Sequence, residues 1–157
     1  MKNSLFFVAV DYDLAKNMAK KVAEFFAMRL FDSIEMFEFD HAPRKIDEVL
    51  HDFGIDYVKK EMKSIVKMGL DFDEVVSVAD FDYLDCWNIL FNRIQEKHLV
   101  IFLSDVENEN LSADEKLAKI NFLTNCCDVA IDIKKLPDEK VFDKIISEIK
   151  NYFNFEV

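Results

Sequence analysis

The sequence predicts a three-layer α/β/α fold built on a five-stranded parallel sheet, and three observations carry that expectation. Four short, continuous apolar runs at 5–10, 75–79, 99–103 and 129–133 are rich in β-branched and aromatic residues, the pattern of strands buried on both faces. Between them lie apolar stripes at three-to-four spacing, the pattern of amphipathic helices. With two glycines and two prolines in 157 residues, the chain lacks the turn chemistry of an all-β fold.

Taken in order, Leu5-Phe6-Phe7-Val8-Ala9-Val10 forms the first strand, and Leu14, Met18, Val22 and Phe26 form the stripe of the first helix. Leu30-Phe31 supplies a short further strand. Ile55, Val58, Met62, Ile65 and Val66 make a second stripe ahead of the strand at 75–79, and the strand at 99–103 follows. Ser112-Ala113-Asp114-Glu115 has the form of a capping box before Leu117, Ile120 and Leu123. The last strand, at 129–133, leads into a third stripe of Val141, Ile145, Ile149 and Phe153. Strands alternating with helices give a parallel sheet covered on both faces.

The length suits one compact domain over residues 1–157, and 51% apolar with 13% aromatic residues excludes a disordered chain. A net charge of -11, with Arg29, Arg44 and Arg93 the three arginines, argues against nucleic acid as a partner. No apolar run is long enough to span a membrane, and residues 1–10 read as a buried strand and not as a secretory signal, so the expected location is cytoplasmic. Three cysteines (Cys86, Cys126, Cys127) without metal-ligand spacing read as reduced core thiols, and His41, His51 and His98 as surface imidazoles.

In such sheets ligands bind beyond the carboxyl ends of the strands. A phosphate loop there needs glycines that tolerate φ > 0, close backbone N–H groups, and a lysine followed by a hydroxyl. The stretch Val8-Ala9-Val10-Asp11-Tyr12-Asp13-Leu14-Ala15-Lys16-Asn17 contains no glycine. The strand ends carry acids instead: Asp11 and Asp13 after the first, Asp80 and Asp82 after 75–79, and Asp105, Glu107 and Glu109 after 99–103. Two carboxylates 4 Å apart repel by ~1 kcal/mol in water and by more in a cleft, and a triphosphate beside them meets the same repulsion.

From the first strand onward the chain resembles the shikimate kinase family of P-loop kinases. Phe6-Phe7-Val8-Ala9, then Met18-Ala19-Lys20-Lys21-Val22-Ala23, then Leu30-Phe31-Asp32-Ser33-Ile34 run without a gap along that family's strand, loop, helix and Asp-x-Asp strand end. Ile46-Asp47-Glu48-Val49-Leu50 and Gly54-Ile55-Asp56-Tyr57-Val58-Lys59-Lys60 look like its paired helices, and Cys127-Asp128-Val129-Ala130-Ile131-Asp132 like its last strand. The resemblance implies the strand order 2-3-1-4-5.

The residues that carry the family's chemistry are mostly replaced. Ala9, Tyr12 and Leu14 stand at phosphate-loop glycines, Ala15 at the phosphate-binding lysine, and Lys16 and Asn17 at the hydroxyl pair. A one-residue slide instead makes Lys16 the lysine and Asn17 the magnesium ligand, at the expense of the helix match. Asp32 keeps the acid that in the family helps hold hydrated magnesium, and Ile34 replaces the acid that binds substrate hydroxyls. Lys59 stands at the arginine that grips the substrate carboxylate and lacks its bidentate fork. Ala79, Asp80 and Phe81 replace three glycines, and no arginine follows Arg93 to serve as a lid.

Three readings follow. The first is a kinase-fold protein without ATP binding or phosphoryl transfer, serving as a binding or regulatory module for a small polar metabolite or a protein partner, with no cofactor and with Lys16, Lys59, Asp32 and Asp80 near its ligand. The second is an active shikimate kinase with an atypical loop, using ATP and magnesium. The third takes Asp11 and Asp13 as the nucleophile and the acid/base of a magnesium-dependent phosphatase resembling the haloacid dehalogenases, with Ser104 and Lys116 or Lys119 in later roles. In all three, Trp87 with Phe81, Tyr83 and Phe91 reads as helix-to-core packing.

Overall fold

The computed structural model describes residues 2–84, 87–104, 114–134 and 136–153, with the side chains at 87–88 and 114–116 outside that description. Cys86, Asp105, Glu107, Glu109, Ser112 and the side chains of Trp87 and Lys116 therefore lie outside the described residues. The elements are β1 (Ser4–Ala9), α1 (Tyr12–Phe26), β2 (Arg29–Asp32), α2 (Ser33–Asp40), α3 (Ile46–Phe53), α4 (Ile55–Gly69), β3 (Val75–Val78), α5 (Trp87–Lys97), β4 (His98–Ser104), α6 (Asp114–Cys126), β5 (Val129–Asp132) and α7 (Asp138–Phe153). The strands form one parallel sheet in the order β2-β3-β1-β4-β5.

Side chains alternate across each strand, so β1 feeds two cores. Leu5, Phe7 and Ala9 pack with α1 and α7, while Phe6 and Val8 pack with the end of α4, α5 and α6. Phe6, Phe7 and Phe102 are no more than 2% exposed, and each contributes ~1.5–3 kcal/mol by burial. A third cluster, with Phe37, Val49, Val58 and Met62 at its centre, joins α2, α3 and α4 beside β2.

The α1 stripe is buried at Ala15, Met18, Ala19 and Val22, and α1 ends where Ala27 adopts φ 54° and its N–H bonds the Ala23 and Glu24 carbonyls. Gly54 separates α3 from α4 at φ 88°, ψ 169°, a conformation open almost only to glycine. Gly54→Ala is therefore expected to destabilise by about 1–3 kcal/mol, although a methyl there would meet no neighbour within 4 Å. Urea unfolding checks this, and an unchanged midpoint would show that the junction relaxes freely.

Two sequence expectations are corrected. Among the described cysteines, Cys126 is exposed at the end of α6, and Cys127, the next residue, is half-buried against the core that α5 and α6 cover. Of the histidines, only His51 is a surface residue. His98 is fully buried where α5 passes into β4, its Nδ1–H donates to the Ile94 carbonyl at 3.1 Å, and burial pushes its pKa down to about 4. His41 stacks on Phe37 at 4.2 Å and is half-buried.

Candidate functional site

The carboxyl ends of β1, β2 and β3 meet the first turns of α1, α2 and α3, and the site is built from those turns. Only Val10 and Asp11 separate β1 from α1. Asp11 is extended (φ -81°, ψ 102°), and its carboxylate accepts the Leu14 N–H at 3.2 Å, the usual N-cap arrangement. The helix end that could receive an anion thus already faces a carboxylate of its own chain.

Farther along the chain, Asp32 caps α2 in the same way. Its Oδ1 accepts the Ile34 N–H at 2.9 Å, the Glu35 N–H at 3.4 Å and the Tyr12 hydroxyl. Ser33 pins the turn to the sheet by donating to the Val78 carbonyl at 3.0 Å. The Asp32 side chain is fully buried, and its Oδ2 receives no hydrogen bond but lies 3.5 Å from the Lys16 ammonium. Lys16 also approaches Glu35 at 3.4 Å. Burial pulls the Lys16 pKa down, yet Asp32 and Glu35 outweigh it and the net shift is upward, so the group stays charged. Burial, then the bond to Asp32, holds the Tyr12 hydroxyl well above the ordinary tyrosine range.

Beside this cluster opens a cavity of about 430 Å³, lined by Asp11, Asp13, Asp47, Asp80 and Asp82 with Tyr12, Tyr83 and three aliphatic residues. No basic side chain among the described residues lines it. Asp80 is half-buried at the end of β3, where burial, then the charge of Asp82, push its pKa up to about 6 against the opposing Asp82 N–H bond at 2.8 Å and Lys119. Lys119 donates to the Phe81 carbonyl at 3.3 Å. The pocket therefore gains negative charge as pH rises through about 6.

The structure brings Asp11, Asp13 and Asp80 to one cavity, and it puts Tyr12, Lys16 and Asp32 in one hydrogen-bonded cluster next to it. It separates the rest. Ala9 ends β1 in the core and Ala15 is fully buried. Leu14 packs against the same core, and Asn17 is exposed on α1. Lys59, half-buried on α4, does not line the cavity. Phe81 and Phe91 are core residues, as expected, and Tyr83 packs against the α2–α4 cluster. Sequence reasoning missed Asp47, whose only local sign is its place in the acidic first turn of α3.

A magnesium ion does not fit the residues as arranged. Asp32 spends one oxygen on three donors and turns the other to an ammonium, which a cation would have to displace. Asp11 turns one carboxylate oxygen to its own helix. No group of three or more His, Cys, Asp or Glu side chains among the described residues is disposed to hold a metal.

Comparison with known proteins bears on the fold. No protein-family model and no curated protein sequence matches the chain. Among solved structures, shikimate kinase from Acinetobacter baumannii in complex with shikimate superposes with a TM-score of 0.73 at 11% identity, over 97% of this chain and 95% of that one. Shikimate kinase from Aquifex aeolicus gives 0.73 at 12% identity, over 95% and 97%. A gluconokinase from Sinorhizobium meliloti gives 0.51 at 10% identity, over 98% of both. The chain has the P-loop-kinase-like fold of the shikimate kinases along nearly its whole length. No helix among the described residues is long and apolar enough to cross a membrane.

Proposed function

We propose that this chain uses the kinase fold as a binding or regulatory module that neither holds ATP nor transfers phosphate. The observation that carries the reading is the two-residue passage from β1 to α1, closed by the Asp11 cap. Phosphoryl transfer rests on positioning and on neutralising the charge of the moving group. Here the strand-end cavity presents five aspartates and, among the described residues, no cation. Lys16, beside the cavity, is already balanced by Asp32 and Glu35.

The same electrostatics select the ligand. A cavity whose charge is negative, and more negative above pH 6, favours a small cation or the basic group of a partner protein and disfavours a nucleotide. Affinity for a cation should therefore rise as Asp80 ionises. In this reading the cavity aspartates, and not Lys16 and Lys59, contact the ligand.

Thermal unfolding tests the reading with ATP, magnesium, shikimate and spermidine, singly and together, at pH 5 and pH 7.5. Saturation to about 100 times Kd stabilises by about 2.7 kcal/mol, and a chain of this size shifts by roughly 2–4 °C per kcal/mol. The expected results are no rise with ATP and magnesium, and a rise with spermidine that is larger at pH 7.5 and loses its pH step in Asp80→Asn. A nucleotide-dependent rise, or turnover of shikimate with ATP, would restore the kinase reading. A rise with magnesium alone, abolished in Asp11→Asn, would favour the phosphatase reading.

A further inference from the structure

We propose that a second cavity, at the opposite edge of the sheet, binds an amphipathic zwitterion, of which a free hydrophobic amino acid is the simplest instance. The cavity measures about 620 Å³ and lies at the amino ends of β1, β2 and β3, against the end of α7. That volume falls within the range of small-molecule sites. Its walls are apolar: Leu5, Phe26, Met28, Ile149 and Phe153.

Four charged side chains stand at its rim, and two are already engaged. Lys2 holds Asp128 at 2.9 Å, and Asp73 holds Lys97 at 2.9 Å. Arg29 and Glu74 remain, and neither side chain has an ion pair or hydrogen bond among the described residues. Arg29 opens β2 and pairs in register with Val75, and Glu74 immediately precedes Val75, so both lie at the amino end of neighbouring strands. A guanidinium and a carboxylate, each without an ion pair among the described residues, beside an apolar wall match a ligand that carries a carboxylate, an ammonium and an apolar body. The guanidinium fork suits a carboxylate, and Glu74 accepts from an ammonium.

Backbone geometry gives independent support. Glu74 sits at φ 53°, in the left-handed region, where glycine would be free of strain and glutamate is not. Ala27, the other left-handed residue at the rim, is explained by the helix cap it forms, whereas no cap explains Glu74. A charged residue held at a strained position on the rim of a cavity is a pattern of binding sites.

Isothermal titration with L-phenylalanine and L-leucine tests the proposal, alongside 3-phenylpropionate, which lacks the ammonium, and 2-phenylethylamine, which lacks the carboxylate. The amino acids are expected to bind at least tenfold more tightly than either truncated compound. Arg29→Gln should erase the advantage of phenylalanine over phenylethylamine, and Glu74→Gln its advantage over phenylpropionate. Both side chains are exposed, so the variants should keep the melting temperature of the parent to within a few degrees. Asp80→Asn, at the other end of the sheet, should leave this binding unchanged, which separates the proposal from the reading of the acidic pocket. No heat of binding at millimolar amino acid, or equal affinity for all three phenyl compounds, would overturn it.

Discussion

Asp32→Ala is expected to lower the unfolding free energy by about 3–5 kcal/mol, the range for removing one member of a buried, hydrogen-bonded charge network. The side chain is fully buried, so nothing in solvent can take its place. Its loss strands the Tyr12 hydroxyl and the Ile34 and Glu35 N–H groups, and it removes the cap of α2, which alone contributes about 1 kcal/mol. Asp32→Asn keeps an oxygen for the cap and should cost less. Lys16→Met should cost about 1–3 kcal/mol, because the pair with Glu35 is a surface pair but the buried Asp32 Oδ2 is left without its neighbouring charge. Urea unfolding of the three variants gives the ranking, with the slope unchanged if both cores persist. A loss of less than 1 kcal/mol in Asp32→Ala would mean that the Tyr12–Asp32–Lys16 cluster contributes little to holding the strand ends together.

This ranking also marks which parts of the molecule could be read from sequence. Strands covered on both faces give unbroken apolar runs, so β1, β3 and β4 were evident with errors only at their ends, whereas β5 was located but not as a strand buried on both faces: it lies at the sheet edge and exposes Ala130 and Asp132. β4 extends to His98 and Ser104 because both polar residues are buried, one bonded to the preceding helix turn. The helix α2 left no such trace. Its apolar residues Ile34, Met36, Phe37 and Phe39 do not form one stripe, and Phe39 is 78% exposed. What specifies α2 is the Asp32 cap and the Ser33 bond to β3, the second of which spans 45 residues of sequence.

The candidate site divides in the same way. Asp11, Asp13, Asp80 and Asp82 were legible because strand ends in a parallel sheet share one edge. Asp47 was not, since only tertiary packing brings α3 over the end of β3. The contact between Tyr12 and Asp32 likewise has no spacing rule behind it. In the gap-free alignment Tyr12 stands where a glycine would be, and its hydroxyl closes on the acid that the resemblance assigns to magnesium.

That substitution makes the reverse experiment informative. Restoring glycines and lysine as Tyr12→Gly, Leu14→Gly and Ala15→Lys should destroy stability without creating an ATP site. Each glycine in the first turns of α1 costs about 1 kcal/mol in helix propensity. Tyr12→Gly also removes a donor from Asp32, and Leu14→Gly removes packing against the α1 core. The new lysine would enter a position with 0% exposure, where an ammonium must be desolvated without a partner. The sum is a loss on the order of 5 kcal/mol or more, comparable to the whole stability of many domains. The double change Tyr12→Gly with Leu14→Gly leaves Ala15 in place and keeps the experiment interpretable if the triple variant does not fold. Neither protein is expected to gain a melting-temperature rise with ATP and magnesium, because the cavity would still present five aspartates and α1 would still begin two residues after β1. ATP-dependent stabilisation of the double variant would mean that glycine alone reopens the loop, and of the triple variant only that glycines and lysine together do. The barrier to nucleotide binding would then lie in three side chains, and the charge of the strand ends would not be what excludes it.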